Sequence, residues 1–278
     1  MVRASMRRLA AIVFVVSVVV ILTVVAVTRR VPPDSGTGTL ADAVAGGDHD
    51  LARSLLGEGA DPDEPRVLNM TPLIRAALRD DAEMVEILLA AGADLEASDL
   101  GGMTAIHAAA QVDAEIALES LLAAGAPLDA RTREGLTPFD HAASQGSLGA
   151  LRMLAPLVDK DAQSEFVAQG HGPPRDIGST PMGLAVRSGH GDAVKLLLDL
   201  GADVDGRSTA GHTPLLIAVF TGQDPELVEM LLAAGADPTV VATCNMGCAP
   251  FTGDALGWAT ELGRTDLIPL LEDATEGS

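Results

Sequence analysis

The sequence predicts an all-α fold: a solenoid of stacked helix-turn-helix units with hairpin-like loops, preceded by one N-terminal transmembrane helix. Two recurring phrases in the 278-residue chain predict the solenoid. The first is ILLAAGADLEA at 87–97, which returns as SLLAAGAPLDA at 120–130, LLLDLGADVDG at 196–206 and MLLAAGADPTV at 230–240. The second begins at Thr71, Thr104, Thr137, Thr180 and Thr213, at intervals of 33, 33, 43 and 33 residues. Repetition at a fixed period of this size is typical of stacked repeat architectures.

The transmembrane helix is predicted within an N-terminal arm of residues 1–30. From residue 9 to residue 27 the only polar side chains are Ser17 and Thr23. A helix of that length nearly crosses a hydrocarbon layer of about 30 Å, so we expect an uncleaved signal anchor. A cleaved signal peptide is the alternative, because Val24-Val25-Ala26 has the small-residue spacing that a signal peptidase accepts.

The arginines on either side of this run set the expected orientation. Three of them precede the run and two follow it, namely Arg3, Arg7 and Arg8, then Arg29 and Arg30. The positive-inside rule favours a cytoplasmic N-terminus by one arginine and the terminal amine. We therefore expect a single-pass protein of the cell membrane with an extracytoplasmic repeat domain, or a periplasmic or secreted protein after cleavage. The use of 16 arginines against two lysines favours a GC-rich bacterial genome.

The remaining chain is strongly acidic. Residues 31–278 carry 13 basic and 39 acidic groups, a net charge of −26. Binding to nucleic acid is not expected, because it requires clustered lysine and arginine. The acid excess indicates solubility, with a basic partner protein as the alternative interpretation. Since only 2% of the residues are aromatic, leucine, valine and alanine must fill the core, which suits closely packed helices.

The repeated phrases define the domain boundaries. Residues 31–37 (VPPDSGT) are interpreted as a linker, residues 38–274 as the repeat domain and residues 275–278 as a tail. Counting 33 residues back from Thr71 gives Gly38 as the corresponding position of the first unit. Asp254 is the corresponding position of the last unit. The domain therefore contains about seven units, of which the first and last are degenerate and present polar outer surfaces.

Each unit is expected to form two helices with defined ends. Threonine is a good N-cap and proline a good first helical residue, so Thr-Pro begins the first helix. Alanine pairs such as Ala76-Ala77 keep one face of that helix thin. Glycines are predicted to end the first helices in the left-handed conformation, with Asp80 and Asp113 as tolerated replacements. The glycines are Gly47, Gly146, Gly189, Gly222 and Gly263 for the first helices, and Gly59, Gly92, Gly125, Gly201 and Gly235 for the second.

Two departures from the period are predicted to be surface loops. Ten extra residues fall within 159–177, where a partner-contacting insert around Phe166 and His171 is the alternative to tolerated loop drift. The loop 239–253 is lengthened and holds Cys244 and Cys248. A disulfide between them is favoured over free thiols, and a zinc site is not expected because no second pair of ligands exists.

No motif in the sequence predicts catalysis. The serines of the first helices lack a G-x-S-x-G turn, the glycine pairs lack the lysine of a phosphate loop, and the aspartates lack the calcium-loop pattern. No metal or cofactor is expected. An enzyme that uses the inserted loops is retained only as a remote alternative.

The 33-residue period and the phrases TPLIRAA, TAIHAAA, TPFDHAA, TPMGLAV and TPLLIAV resemble the ankyrin repeat family over about residues 38–274. The resemblance implies binding of another protein through the concave face and the loop tips. It also implies that His107 bonds to a neighbouring loop, while His141, one position further on, is expected to face the concave side. The first-helix candidates for partner contact are Arg75, Arg79, Gln111, Gln145, Arg187 and Phe220, and the loop candidates are Leu68, Asp99, Leu100, Arg133, Glu134 and Thr209.

Taken together, the sequence predicts a membrane-tethered scaffold for protein–protein interaction. The alternative is an exported, signal-cleaved protein that inhibits or buffers a partner in the periplasm or the medium.

Overall fold

The computed structural model of the chain describes residues 38–65, 67–164, 180–244 and 251–276. Within these ranges no helix is both long enough and apolar enough to cross a membrane. The expected membrane span at 9–27 and the expected linker at 31–37 lie outside the described residues.

The described residues form seven pairs of helices and one short pair of strands. The helices are α1 (Leu40–Gly46), α2 (His49–Gly57), α3 (Pro72–Ala77), α4 (Ala82–Ala90), α5 (Ala105–Gln111), α6 (Glu115–Ala123), α7 (Pro138–Gln145), α8 (Leu148–Leu154), α9 (Pro181–Ser188), α10 (Gly191–Asp199), α11 (Pro214–Thr221), α12 (Pro225–Ala233), α13 (Ala255–Leu262) and α14 (Ile268–Glu276). The strands are β1 (Ala242–Cys244) and β2 (Phe251–Gly253). A short 3₁₀ turn covers Val67–Asn69.

The helices stack in two layers. Each odd-numbered helix, which is the first helix of its unit, packs against the first helices of the units before and after it. The second helices from α2 to α10 pack against one another in the same order, and each second helix contacts the first helix of its own unit. The expected solenoid of helix-turn-helix units is thereby confirmed.

Two buried positions repeat along the whole array. The residue five positions after Thr71, and after the corresponding position of every other unit (Gly38 in unit one), is alanine in all seven units, and its exposure is 0 or 1%: Ala43, Ala76, Ala109, Ala142, Ala185, Ala218 and Ala259. Leucines of six second helices, with 0% exposure, fill the matching position in the other layer: Leu88, Leu121, Leu154, Leu197, Leu231 and Leu271. Alanine lets neighbouring first helices approach closely, while leucine supplies the buried apolar surface that stabilises the stack.

The predicted helix ends are present. The hydroxyl groups of Thr71, Thr137, Thr180 and Thr213 accept hydrogen bonds from backbone N–H groups three residues further on. Gly47, Gly146, Gly189, Gly222 and Gly263 end the first helices with φ between 70° and 76°. Side chains with a Cβ rarely adopt this left-handed conformation, which explains the recurring glycine.

Asp80 and Asp113 replace that glycine in two units, with φ of 54° and 57°. Their carboxylates accept hydrogen bonds from backbone N–H groups of the following unit, Asp80 from Ala117 at 2.9 Å and Asp113 from Ala150 at 2.8 Å. These N–H groups belong to the first turns of α6 and α8, whose own N-cap residues give no side-chain cap. Each aspartate therefore caps a helix of the neighbouring unit.

Two expectations require correction. The first helix of unit one begins after Thr39 and not after Gly38, because Thr39 and Asp42 form a reciprocal capping box. The loop 239–253 is not entirely irregular, since β1 and β2 pair antiparallel with Thr243 opposite Thr252. The lengthened loop 239–253 therefore contains a short antiparallel pair of strands. Each of these strands has only three residues, which is too short for the alternation of apolar and polar residues that predicts a strand.

We expect the substitution Asp80→Ala to lower the free energy of unfolding by about 1–3 kcal/mol, because it removes a helix cap and leaves a Cβ residue in a left-handed conformation. The measurement is urea unfolding followed by far-ultraviolet circular dichroism. Asp80→Asn is the control, because its side-chain oxygen can still accept the Ala117 N–H bond, and we expect a change below about 0.5 kcal/mol. Equal losses for the two variants would contradict the capping role.

Candidate interaction surface

One face of the first helices stays open to solvent. We call the palm the seventh and eighth residues after the cap threonine in units two to six. Its members are Leu78 and Arg79, Gln111 and Val112, Ser144 and Gln145, Arg187 and Ser188, and Phe220 and Thr221. All ten are half-buried or exposed, although the helices that carry them are otherwise mostly buried. The palm is therefore a continuous accessible strip across five consecutive units.

The structure brings most of the predicted first-helix candidates together. Arg79, Gln111, Gln145, Arg187 and Phe220 belong to the palm, and half-buried Arg75 lies one helical turn before Arg79. Arg79 and Arg187 are exposed. The strip thus combines cations, amides and one aromatic ring, which are groups that suit recognition of a protein surface.

Phe220 is half-buried within an aromatic chain. Its ring makes edge-to-face contacts with His212 at a centroid distance of 5.2 Å and with Trp258 at 4.4 Å. The Trp258 indole N–H donates to the backbone oxygen of Ala242 at 3.4 Å, next to the hairpin. Phe220 therefore joins units six and seven in addition to lining the palm.

The loop tips form a second row beside the palm. Leu100 N–H donates to Leu68 O at 3.0 Å, and Arg133 N–H donates to Gly101 O at 2.7 Å, so neighbouring tips are bonded through their backbones. The Asp99 carboxylate accepts from the N–H groups of Gly101 and Met103 within its own loop. Arg133, Glu134 and Thr209 are exposed at their tips, whereas Asp99 is half-buried.

An apolar tip lies at the second and third loops. Val67, Leu68 and Leu100 are 76, 60 and 51% exposed. Leu68 also has φ of 62°, which is uncommon for a branched apolar residue. Leu68 and Leu100 were predicted from register, but Val67 was not, because exposure of an apolar residue in a loop has no local sequence signal.

His107 bonds to a neighbouring loop, as the resemblance implies. Its Nε2 lies 3.1 Å from Leu136 O and its Nδ1 lies 2.8 Å from Thr104 Oγ1. Because a carbonyl can only accept, Nε2 carries the proton and Nδ1 accepts from the threonine hydroxyl. The imidazole thus holds unit three and the loop leading into unit four in register.

His141 is buried, contrary to the expectation that it faces the concave side. Its exposure is 8%, and its ring packs edge-to-face on His107 at a centroid distance of 5.5 Å. Asp140 occupies the slot that His107 holds in unit three, and its Oδ2 accepts from both Thr137 N–H and Thr137 Oγ1. Among the described residues, Asp140 Oδ1 and both ring nitrogens of His141 have no hydrogen-bond partner.

Burial shifts the pKa values of this polar group. Desolvation lowers the pKa of His107 to about 4 and the pKa of His141 to about 3, where the neighbouring His107 adds to the effect. Desolvation raises the pKa of Asp140 to about 6, against the opposing hydrogen bonds from Thr137. At neutral pH both imidazoles are therefore neutral and Asp140 carries a buried charge.

Several predicted site residues cannot be placed. Phe166, His171 and Cys248 lie outside the described residues, and Cys244 is described only as the last backbone position of β1. The disulfide between the two cysteines remains a prediction. Within the described ranges, no group of three or more histidine, cysteine, aspartate or glutamate side chains has an arrangement that could hold a metal ion.

Comparison with known families supports the repeat assignment. A family model described as "Ankyrin repeats (3 copies)" matches residues 40–132 and 159–242, and a second one described as "Ankyrin repeats (many copies)" matches residues 115–155. Together the two segments of the first match cover more than half of the chain.

Solved structures show the same fold. The chain resembles the ankyrin repeat domain of Bcl-3, described as a unique member of the IkappaB protein family, with a TM-score of 0.63 and 28% identity over 75% of this chain and 90% of that one. It also resembles the human ASB11 ankyrin repeat domain, with a TM-score of 0.66 and 23% identity over 84% of this chain and 96% of that one. Because the identity to ASB11 is only 23%, this similarity supports the fold alone.

Relatives identified by sequence share only short stretches. A Caenorhabditis elegans homolog of transient receptor potential cation channel subfamily A member 1 is 35% identical over 95 residues, which is 34% of this chain and 7% of the relative. Human protein phosphatase 1 regulatory subunit 27 is 47% identical over 53 residues, which is 19% of this chain and 34% of the relative. The match thus spans a minor part of each of these curated relatives.

The buried polar group predicts a measurable pH dependence of stability. Because the pKa values of His107 and His141 are lowered in the fold, the unfolded chain binds their protons first, and stability is lost as the pH falls below about 6.5. Asp140 acts in the opposite direction, since its raised pKa lets the folded chain bind a proton first between about pH 6 and its ordinary pKa near 4.

We expect His141→Gln to reduce the slope of unfolding free energy against pH near pH 5 by about 1.4 kcal/mol per pH unit, which corresponds to one proton. The measurement is urea unfolding at several pH values between 4.5 and 7, in steps of about half a unit. The slope is the readout, so a uniform loss of stability caused by the buried amide does not affect the test. An unchanged slope would show that His141 does not stay neutral in the fold.

Proposed function

The chain belongs to the ankyrin repeat family, and we propose that it is a membrane-tethered scaffold that binds a partner protein along its palm and loop tips. Ankyrin repeat arrays are typically protein–protein interaction scaffolds and are usually non-catalytic binding modules. The proposal adds the tether and the surface to that general role.

One observation carries the assignment of the surface. Five positions after Thr71, and after the corresponding position of every other unit, the residue is always alanine, whereas seven positions after it the residue differs in each unit from two to six. Those seventh residues are Leu78, Gln111, Ser144, Arg187 and Phe220. A constant buried framework that presents different accessible side chains supports recognition of an irregular partner surface, although Leu78 and Phe220 also pack against the core.

The loop tips extend the proposed surface. A backbone hydrogen bond joins Leu100 to Leu68, so these two exposed residues and Val67, the chain neighbour of Leu68, belong to adjoining loop tips. Exposed clusters of large apolar side chains are uncommon on proteins that bind nothing. The tip therefore supplies apolar contact area beside the more polar palm.

The membrane tether rests on the apolar run at 9–27 and its flanking arginines. We propose that this run anchors the chain in the cell membrane and that the array faces away from the cytoplasm. An exported protein that buffers a partner is the second candidate, favoured by the cleavage-like spacing at Val24-Val25-Ala26.

The surface assignment predicts selective loss of partner capture. We expect the full chain, solubilised from membranes and used as bait, to retain a specific partner that is lost or reduced about tenfold in the variant Gln111→Ala/Gln145→Ala. The control is Glu119→Ala/Glu229→Ala, which truncates two exposed side chains on the second helices. Mass spectrometry of the captured proteins is the measurement. Equal loss with both variants, or with neither, would argue against the palm.

The tether predicts that the chain stays in the membrane pellet after an alkaline carbonate wash and that its N-terminal sequence begins before residue 9. An anchor of about 19 apolar residues resists such extraction, because leaving the bilayer exposes its whole apolar surface to water. A soluble protein whose N-terminus lies near Val27 would instead establish the exported form.

A further inference from the structure

The loop tips change in character along the array. The residues four and three positions before the cap threonine form the tip of each unit, and the structure describes both of them for units two, three, four and six. All of these described tip residues are exposed. They are Val67 and Leu68, Leu100 and Gly101, Arg133 and Glu134, and Thr209 and Ala210. The apolar tip therefore lies at the N-terminal end of the row, whereas the described tips further along are charged or small.

Hydrogen bonds hold the apolar tip in place. Leu100 N–H donates to Leu68 O at 3.0 Å, and the side-chain amide of Asn69 donates to the backbone oxygen of Ser98 at 2.7 Å. Leu68 and Asn69 have φ of 62° and 61°, in the left-handed region that residues with a Cβ rarely adopt. Backbone strain of this kind persists only where the surrounding contacts over-determine it, and it clusters at functional sites. Two bonded loops therefore present the exposed leucines at the cost of a strained backbone.

The chain length between the predicted anchor and the array keeps this tip close to the bilayer. Residues 28–37 join the apolar run to Gly38, so at about 3.3–3.6 Å per residue Gly38 lies within roughly 40 Å of the end of the run. Gly38 corresponds to Thr71 of unit two, and α1 packs against α3 at the usual helix spacing of about 8–10 Å. Leu68, three residues before Thr71, is thus carried close to the point where the tether enters the array. The tip of unit six lies four units further along.

The apolar tip by itself is too small to hold a protein on a bilayer. Even one myristoyl chain gives only marginal, reversible binding, and three partly exposed aliphatic side chains bury less apolar surface than that chain. A covalent tether changes the balance, because it makes the contact intramolecular, with an effective concentration in the millimolar range for a short flexible linker. In the anchored protein a weak apolar contact is therefore populated, and it determines which part of the array lies against the lipid.

Charge decides which bilayer surface suits this contact. Residues 31–278 carry a net charge of −26, and Asp99 precedes Leu100 in the same loop. The next tip along the row, Arg133 and Glu134, carries one charge of each sign. A domain with this acid excess gains nothing from anionic headgroups, since like charges repel. Zwitterionic lipid therefore suits the tip, and the contact is apolar rather than electrostatic.

We infer that the apolar tip inserts into the interface of the bilayer that holds the anchor, so that the array lies with its N-terminal loop tips against zwitterionic lipid. This inference rests on the proposed tether, and it assigns Val67, Leu68 and Leu100, within the proposed loop-tip surface, to lipid. The palm and the tips of units four and six remain the surface for the partner protein. Contact with lipid at one end thereby orients the palm relative to the membrane.

The experiment uses the full chain reconstituted into phosphatidylcholine vesicles, with or without bromine on the acyl chains near the headgroups. A tryptophan is introduced at the apolar tip by Leu100→Trp and, as the matched control, at the exposed tip of unit six by Thr209→Trp. The natural Trp258 is buried, with 3% exposure, so the unmodified chain provides the common background emission. Flotation of the vesicles first establishes that each chain is membrane-bound.

Two further variants test whether the contact depends on the apolar side chains. Val67→Ser/Leu68→Asn is added to Leu100→Trp, and asparagine is chosen because it tolerates the left-handed conformation of residue 68. Ile116→Ser/Leu157→Ser is added to Leu100→Trp as the control. It removes two apolar side chains that are 59 and 54% exposed but lie outside the apolar tip.

We expect bromine to reduce the added emission of Leu100→Trp about twofold, because an interfacial side chain lies about 5–10 Å into the boundary between headgroups and acyl chains. The emission of Thr209→Trp stays unchanged. Val67→Ser/Leu68→Asn abolishes the quenching, whereas Ile116→Ser/Leu157→Ser retains it.

The opposite outcomes separate the inference from the tether. Equal quenching of the two introduced tryptophans, or none, in chains that float with the vesicles overturns the lipid contact and leaves the tether intact. A chain that does not float with the vesicles overturns the tether, and the inference falls with it. If Leu100→Trp is not quenched but Val67→Ser/Leu68→Asn abolishes capture of the partner, the apolar tip binds the partner protein instead of lipid.

Discussion

A pair of short helices cannot bury both of its apolar faces by itself, so each of the seven described units depends on the unit beside it. The alanine of each first helix and the leucine of six second helices are fully buried in a stack where each first helix packs against the first helices of neighbouring units. The array therefore gains stability by addition of interfaces rather than by growth of one central core. This constraint also explains the open palm, because stacking covers the flanks of each first helix and leaves its last turn accessible.

Polar contacts between units fix the position of each unit relative to the next, which apolar stacking alone does not define. The Asp63 carboxylate accepts a hydrogen bond from Asp94 N–H at 2.9 Å, and the Asp205 carboxylate accepts one from Asp237 N–H at 3.0 Å. Each bond joins the loop after one unit to the loop after the next unit. Asp80, Asp113 and His107 make comparable bonds between units closer to the helices. Because each bond has a defined direction, these contacts fix how far one unit is displaced relative to the next. Because the displacement between neighbouring units is fixed, the palm side chains of five units lie along one strip.

Features governed by local rules were predictable from the sequence, and features governed by contacts across units were not. Threonine caps and left-handed glycines follow from single positions, so the helix boundaries agreed except at Thr39, where the degenerate first unit shifts by one residue. The caps that Asp80 and Asp113 provide reach residues 37 positions away, and no local pattern reports them. His141 is buried with its ring packed edge-to-face on His107 of the neighbouring unit, a contact that only the folded stack reveals. The positions of the palm residues follow from the register alone, whereas their contact with a partner stays a prediction.

The dependence of each unit on its neighbours is tested most directly by circular dichroism of two fragments. One contains a single unit, residues 104–136, and the other contains three consecutive units, residues 71–164. The account predicts that the single unit is largely unfolded in water and that the three-unit fragment is helical and unfolds cooperatively. A single unit that is stably helical, with an unfolding transition like that of the larger fragment, would contradict it.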